Sequence, residues 1–105
     1  MSQQDLQTVR ADKWLWAARF FKTRQLAGEA IGGGKVHLNG QRTKPGKEVR
    51  AGHQLRIHKG SLEWEVRVLG LSRQRLPASA AVKLYRESDA SQLRRQQHLE
   101  QRRAE

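Results

Sequence analysis

Gly32, Gly33 and Gly34 run directly into Lys35, and this short segment is the part of the chain that most resembles a phosphate-binding loop. In such a loop, backbone N–H groups surround the phosphates of a nucleotide while a lysine contacts the terminal ones. The chemistry that this pattern would indicate is nucleotide binding followed by phosphoryl transfer.

The spacing around the glycines does not fit that chemistry. A phosphate-binding loop reads G-x-x-x-x-G-K and then Ser or Thr, because the hydroxyl holds a magnesium ion. Here the interval from Gly28 to Gly34 is one residue too long, and Val36 occupies the hydroxyl position. The dinucleotide pattern G-x-G-x-x-G fails too, since His37 stands where its last glycine belongs. We therefore interpret the glycines as the end of a helix, where positive φ is needed.

Catalytic and metal-ligating side chains are not grouped in the sequence. Glu63 and Glu65 are predicted on the outward face of a strand, and Glu87 beside an exposed tail. The histidines lack ligand spacing and are expected at the surface: His37, His53, His58 and His98. No second domain is expected after residue 77 to house an active site. We expect a protein that is not an enzyme and that uses no cofactor and no metal.

The charge of the chain indicates its class of partner. The 105 residues include 21 Lys and Arg against 10 Asp and Glu, a formal net charge of +11. Such an excess is usually matched to a polyanion, with nucleic acid as the leading candidate and an anionic membrane surface second. No apolar run approaches the ~20 residues that span a bilayer, and the start, "MSQQDLQTVR", lacks the apolar stretch of a signal peptide. Together with the absence of cysteine, this predicts a cytoplasmic protein without a membrane partner.

Two helices are predicted at the start of the folded region. From Asp12 onward, helical spacing gathers one apolar arc made of Trp14, Leu15, Ala17, Ala18 and Phe21. Thr23 is placed to cap a second helix from Arg24 to about Ile31, with a buried stripe made of Leu26, Ala27, Ala30 and Ile31.

A small, mostly antiparallel sheet should follow these helices. Lys35 to Leu38 alternates as a half-buried strand does, and Asn39-Gly40 predicts a hairpin returning through Gln41 to Thr43. Further strands are predicted around Val49, at Leu55 and Ile57, and in "LEWEVRVL", with Leu62, Trp64, Val66 and Val68 on one face.

The sequence thus predicts an α+β fold, with two N-terminal helices packed on a small, mostly antiparallel sheet and a C-terminal helical tail. Residues 1–9 are expected to be flexible, residues 10–72 to form the domain, and residues 73–105 to form a basic helical extension. In that extension Pro77 should begin a helix over "PASAAVKLYRE", with Val82 and either Leu84 or Tyr85 as docking groups. Beyond Asp89 the polar chain predicts a mobile or solvent-projecting helical tail.

Basic residues recur throughout the helices and the first hairpin: Lys13, Arg19, Lys22, Arg24, Lys35, Arg42, Lys44 and Lys47. They would either form one ridge that follows phosphates or be scattered over a solvated surface. Trp16 and Phe20 lie one helical turn apart, beside Lys13, on the face opposite the apolar arc. They would either stack on unpaired bases or pack beneath the C-terminal segment.

Several of these motifs resemble a known family. "R-x-D-K-x-L" from Arg10, "TR" at Thr23-Arg24 and "GGKVHLNGQRTKP" from Gly33 resemble the RNA-binding domain named after ribosomal protein S-four, over about residues 10 to 70. "DKWLWAARFFKTRQLA" and "RQRLPASAAVKLYRE" resemble the heat shock protein 15 family of bacterial stress proteins, in which a longer basic extension than the one ending at Glu105 is expected.

The resemblance implies a function and a set of RNA contacts. It implies binding to ribosomal RNA on the large ribosomal subunit, particularly on free subunits that hold a stalled nascent chain on transfer RNA, and a role in recycling them. The RNA-contact residues that it implies are Lys13, Arg19, Lys22, Thr23, Arg24, Lys35, Arg42 and Lys44. Non-specific DNA binding and a monomeric state are also expected. The alternative is a general single-stranded RNA- and DNA-binding protein or RNA chaperone.

Overall fold

The α+β architecture is confirmed by a computed structural model of the chain, which describes residues 6–104. The helices are α1 (Ala11–Ala17), α2 (Arg24–Gly32), α3 (Ala78–Ala81) and α4 (Asp89–Ala104), with a 3-10 helix at Val82–Leu84. The strands are β1 (Val9–Arg10), β2 (Val36–Leu38), β3 (Gln41–Arg42), β4 (Glu48–Val49), β5 (Gln54–Lys59), β6 (Leu62–Val68) and β7 (Tyr85–Glu87). None of the described helices is long and apolar enough to cross a membrane.

The main sheet has five antiparallel strands in the order β3-β2-β5-β6-β7, while β1 and β4 pair separately. The first two helices pack on one face of the main sheet. The buried core between these layers takes Trp14, Leu15 and Ile31 from the helices and Leu55 and Ile57 from the sheet. The indole N–H of Trp14 donates to the Gly70 carbonyl at 2.9 Å, so its polar atom is satisfied inside the core.

Local sequence signals set the ends of α2. The Thr23 hydroxyl accepts a hydrogen bond from the Leu26 N–H at 3.0 Å, as an N-cap should. At the other end the helix stops at the glycines, and Gly34 has φ +79. A Cβ there would lie 3.3 Å from Nε of Arg42, so glycine suits both the backbone conformation and the close approach. The glycine-rich segment therefore ends a helix, as predicted.

The Asn39-Gly40 turn connects β2 to β3 as predicted. Asn39 has φ 51 and Gly40 has φ 83, the pair of positive values that the tightest hairpin turns require. The Asn39 side chain also accepts a hydrogen bond from the Gln54 N–H at 2.9 Å. The hairpin is thereby joined to the start of β5.

Two predictions for the N-terminal part are wrong. Val9 is not frayed: it is buried and pairs with Val49, because these apolar residues cover the end of the core beside α1. Residues 1–5 of the predicted flexible segment lie outside the described residues. Leu26 was expected in the buried stripe of α2, but it is 46% exposed, because the buried face of the helix is formed by Ala27, Ala30 and Ile31.

The C-terminal segment also differs from its prediction. The helix that starts after Pro77 gives way to a 3-10 turn, and Tyr85–Glu87 then become the fifth strand, paired with β6. Of the predicted docking groups, Leu84 is buried and Val82 is exposed. Tertiary pairing with the open edge of β6 overrides the helical preference of this alanine-rich stretch.

The final helix is mostly exposed, with Ser91 as its buried residue, but it is held against the sheet and does not project away from it as predicted. It lies along β6, where the Ser91 hydroxyl accepts from the Glu65 N–H at 2.9 Å. Further along, Arg102 donates to the Ser61 hydroxyl at 3.1 Å. The helix thus covers the part of the β6 edge that β7 leaves unpaired.

Candidate nucleic-acid interface

One buried acid organises the N-terminal ends of both α1 and α2. Asp12 is 7% exposed, and its carboxylate accepts hydrogen bonds from Arg10 at 3.1 and 3.0 Å. A terminal guanidinium nitrogen of Arg24 lies 3.7 Å from the same carboxylate. The side chains of Arg10 and Arg24 remain 54% and 43% exposed. Asp12 therefore fixes two arginines from one side and leaves them open to solvent on the other.

The charges around Asp12 set its ionisation. Partial burial acts to raise the pKa of Asp12, but the hydrogen bond from Arg10 and the charges of Arg10 and Arg24 outweigh it and lower the pKa below its ordinary value. The same hydrogen bond raises the pKa of Arg10. Asp12 is thus ionised at neutral pH.

The Lys44–Lys47 turn lies over α2 and beside the start of α1. The Ala11 and Asp12 N–H groups donate to the carbonyls of Lys47 and Pro45, at 2.8 and 3.1 Å. A Cβ on Gly28 would touch the Pro45 ring at 3.8 Å, and one on Gly46 would lie 3.7 Å from the Arg10 guanidinium. These contacts bring the turn, with its exposed residues Lys44 and Lys47, beside the start of α1 and the Arg10 guanidinium.

Arg42 occupies the other end of α2. Its guanidinium donates to the Gly32 carbonyl at 3.0 Å, at a helix end where carbonyls lack intrahelical partners. The residue is exposed, so the remaining N–H groups of its guanidinium can bind another acceptor. Arg42 therefore adds a fixed cation at the C-terminal end of the helix.

These cations lie at the two ends of α2 and in or beside the turn packed on it. We call the set of five the α2 ridge: Arg10, Arg24, Arg42, Lys44 and Lys47. Exposed lysines and arginines arranged in this way can neutralise several phosphates of one nucleic-acid strand. The crowding of positive charge extends to His53, whose pKa is lowered by partial burial first and by the charges of Arg50 and Lys47 in addition. The α2 ridge therefore suits a polyanionic ligand.

The RNA-contact residues predicted from the sequence fall into two groups: those in or next to the α2 ridge and those elsewhere. Arg24, Arg42 and Lys44 are part of the α2 ridge, while the exposed residues Lys22 and Lys35 lie at its two ends, next to Thr23 and Gly34. The Thr23 hydroxyl is occupied by its capping hydrogen bond. Lys13 is half-buried on α1 beside Asp12.

Arg19 lies apart from the other candidates. It has φ +68, and its guanidinium donates to the Leu76 carbonyl at 3.1 Å, so it is directed to the C-terminal segment. Arg10 belongs to the α2 ridge but was not among the RNA-contact residues predicted from the sequence. Its spacing of two residues from the acid Asp12 was the signal that could have identified it.

The base-stacking hypothesis is wrong for Phe20. The Phe20 ring is buried, with its centroid 4.8 Å from that of Tyr85 and 6.0 Å from that of Trp64. This is the alternative in which the ring packs beneath the C-terminal segment. Trp16 is half-buried against the same core, so only part of its surface is accessible.

Among residues 6–104, no group of three or more histidine or acidic side chains could hold a metal ion. Glu63 lies close to His58 and Arg56, at 3.2 and 3.4 Å, and forms part of a surface ion-pair network. Glu87 is not beside an exposed tail as expected: it is 9% exposed and paired with Arg95.

The S4 domain family model matches residues 9–55, so the chain contains an S4 domain, an RNA-binding domain. The chain belongs to the heat shock protein 15 family, which confirms the resemblance seen in the sequence. It is 58% identical over 95 residues to the heat shock protein 15 homolog of Aeromonas salmonicida, covering 90% of this chain and 72% of that one. It is 52% identical over 91 residues to heat shock protein 15 of Escherichia coli strain K12, covering 87% and 68% of the two chains.

A solved structure shares the whole fold. The trimeric structure of Vibrio cholerae heat shock protein 15 superposes with a TM-score of 0.89 at 46% identity, covering 93% of this chain and 99% of that one. The expectation of a monomer therefore has no support from this relative. The RQC P-site tRNA stabilizing factor of Listeria innocua is 40% identical over 53 residues, which are 50% of this chain and 58% of that factor.

Proposed function

We propose that the chain is a non-catalytic RNA-binding stress protein that binds the large ribosomal subunit. In this proposal it acts on free subunits that still hold a stalled nascent chain on transfer RNA, and it aids their recycling. The observation that carries the proposal is the α2 ridge, in which five exposed cations lie at the ends of one helix of an S4 domain and in or beside the turn packed on it. The name of the Listeria relative, a factor that stabilises transfer RNA in the P site, supports a ribosomal target.

The α2 ridge would bind RNA through phosphate groups. Arginine presents several N–H donors in a planar fork that matches a phosphate, and lysine adds a mobile point charge. Because Asp12 holds Arg10 and Arg24 in place, less side-chain freedom is lost when they bind. Five phosphate contacts predict that log K falls with log salt at a slope of about −3.5 to −4.5.

Phosphate contacts carry little sequence information, so specificity for the subunit must come from the shape of the RNA. The alternative of a general nucleic-acid-binding protein or RNA chaperone therefore makes a distinct prediction. It requires similar affinity for ribosomal RNA and for duplex DNA, because both present the same phosphate charge.

Sedimentation with purified free large subunits tests the proposal. At rising salt, we expect the wild-type chain to remain with the subunits after it has left naked duplex DNA. The double variant Arg24→Ala/Lys44→Ala should leave the subunits at lower salt. The matched control is Arg73→Ala/Lys83→Ala, which removes the same charge from exposed positions outside the α2 ridge, and it should behave as the wild type. Release from subunits and DNA at the same salt would favour the general binding protein instead.

A further inference from the structure

The main sheet has a second face, which points away from α1 and α2. Alternation along the strands buries Leu55 and Val66 against the helices and leaves Arg56 and Arg67 on the opposite side. The strand register places Gln54 opposite Arg67, and Arg67 opposite Arg86 on β7. This outer face therefore carries its own arginines, separated from the α2 ridge by the core.

Arg67 and Arg86 form a directly opposed pair of like charges. Such cross-strand pairs destabilise a sheet unless something compensates them. The acids of this face pair with other cations: Glu65 lies 3.2 Å from Arg94 and 3.7 Å from Arg56, and Glu63 lies 3.4 Å from Arg56. Within the described part of the chain, no carboxylate lies within ion-pair distance of Arg67 or Arg86.

A shallow groove of about 500 Å³ runs over these arginines. Polar side chains from the hairpin and from three strands line it: Asn39, Gln54, Arg56, Glu65, Arg67 and Arg86. The apolar residues beneath it are closed off, since Leu55 is 1% and Val66 3% exposed. The groove thus combines uncompensated positive charge with amide groups and offers no apolar anchor.

We propose that this groove, which we call the sheet groove, is a second RNA-binding site. Arg67 and Arg86 bind phosphates of an RNA strand, while the Asn39 and Gln54 amides hydrogen-bond its sugar or base edges. The assignment of the ligand as RNA, rather than another polyanion, rests on the proposed function. Because the α2 ridge and the sheet groove lie on opposite sides of the core, one chain can hold two RNA segments at once.

The chemistry of the sheet groove favours RNA over a protein partner. The centres of protein interfaces are enriched in aromatic residues, methionine and arginine, and of these the groove lining supplies arginine alone. A phosphodiester strand needs repeated cations and hydrogen-bond donors, which arginine and the amides supply. Binding an anion between Arg67 and Arg86 also relieves their mutual repulsion, so the ligand stabilises the sheet that forms its site.

Amide NMR spectra of the full, ¹⁵N-labelled chain, titrated with a single-stranded hexauridylate, test this site. We expect two sets of shifts in the wild type, one around Arg24 and Lys44 and one at Gln54, Arg67 and Arg86. Arg86→Glu should abolish the second set, weakening the site at least tenfold, and leave the first intact. This variant replaces a repelling pair with an attracting one, so unfolding would not explain the loss. Arg73→Glu makes the same change of charge outside both surfaces and should keep both sets.

The outcomes separate this proposal from the proposed function. Shifts confined to the α2 ridge in the wild type would overturn the sheet groove and leave the proposed function standing. Shifts confined to the sheet groove would support the second site and count against the α2 ridge. If Arg86→Glu instead changes the mass of the protein in light scattering and the RNA shifts persist, the groove is a contact with a second copy and the proposal is overturned.

Discussion

The α2 ridge and the C-terminal segment are both rich in arginine, yet the arginines do different work in the two regions. On the ridge, Arg10 and Arg24 are held by Asp12 but stay about half exposed. In the C-terminal segment, the Arg75 guanidinium donates to the carbonyls of Trp16 in α1 and of Phe21 after it, both at 2.8 Å. These bonds attach the segment to the end of the first helix and the turn that follows it. The same residue type therefore remains open to solvent in one region, where we propose that it binds RNA, and makes tertiary contacts in the other.

The contrast is sharpest between two buried acids, Asp12 and Glu87. Glu87 accepts from Arg95 at 2.9 and 2.6 Å and from the Ser91 hydroxyl at 2.5 Å. The side chain of Arg95 is only 27% exposed and lies 5.3 Å from the centre of the Trp64 ring. Burial acts to raise the pKa of Glu87, but the hydrogen bonds from Arg95 and Ser91 and the nearby arginine charges lower it overall. The arginines that pair with Asp12 remain exposed to solvent, whereas the arginine that pairs with Glu87 is largely buried.

The largest effect that we expect separates these two roles of arginine. Arg95→Ala leaves Glu87 buried without its partner and should lower the free energy of unfolding by about 2–3 kcal/mol, somewhat below the cost for fully buried pairs. The measurement is urea denaturation, with RNA affinity measured at low temperature, where the variant stays folded. Arg95→Met combined with Glu87→Gln should recover most of the stability. If Arg95→Ala lowered RNA affinity as much as Arg24→Ala does, arginines of the two regions would not differ in their roles.

The next effect depends on pH, and both acids contribute with the same sign. Because the folded-state pKa values of Asp12 and Glu87 are lowered, their stabilisation is fully present above the unfolded values, near pH 4, and is lost as pH falls through the folded values. Urea midpoints at pH 6 and pH 3 should therefore differ. The difference should be smaller in Asp12→Asn and in Glu87→Gln, each compared with Glu100→Gln on the exposed side of α4. Equal acid sensitivity in all four proteins would contradict the proposed ion pairs.

A smaller effect concerns the helix that supports the α2 ridge. Thr23→Ala removes the cap of α2 and should cost about 1 kcal/mol of stability. Thr23→Ser keeps the hydroxyl and should cost much less. Thermal denaturation measures both. If Thr23→Ala weakens RNA binding far beyond its loss of stability, the hydroxyl contacts RNA directly and its role is not confined to capping.

The smallest expected effect is a gain in stability. Arg86→Glu converts the repelling pair with Arg67 into an attracting one and should raise the free energy of unfolding by about 0.2–1 kcal/mol. Thermal denaturation at low salt measures the gain, which 0.5 M salt should reduce. Arg73→Glu serves as the control for the change in net charge and should show no such gain. Destabilisation by Arg86→Glu would mean that Arg86 has a structural partner, as Arg95 does.

Features fixed by local sterics were predictable from the sequence. Thr23, the glycines after α2 and the Asn39-Gly40 turn each act through their own backbone or the next few residues, so their pattern is visible without the fold. The buried positions Trp14, Leu15 and Ala17 of α1 were predictable for the same reason, since helical periodicity determines which side chains share a face. Ala18 and Phe21, which were predicted in the same arc, lie beyond the end of α1. Together these signals located α2 and part of the ridge that surrounds it.

Features that depend on partners far along the chain were not predictable. Arg19 and Arg75 have their acceptors more than fifty residues away, and nothing near them in the sequence distinguishes them from the exposed arginines. The segment Tyr85–Glu87 continues an alanine-rich stretch that favours helix, and only the open edge of β6 makes it a strand. The burial of Phe20 was not predictable for the same reason, because it depends on contacts with Trp64 and Tyr85.

The most direct test of the α2 ridge is the salt dependence of RNA binding. The slope of log K against log salt should be about 1.4–1.8 units shallower in Arg24→Ala/Lys44→Ala than in the wild type, because two phosphate contacts are lost. Arg73→Ala/Lys83→Ala, with the same net charge, should keep the wild-type slope. Equal slopes in the two double variants would show that the cations around α2 do not contact RNA, and the account of the interface would be contradicted.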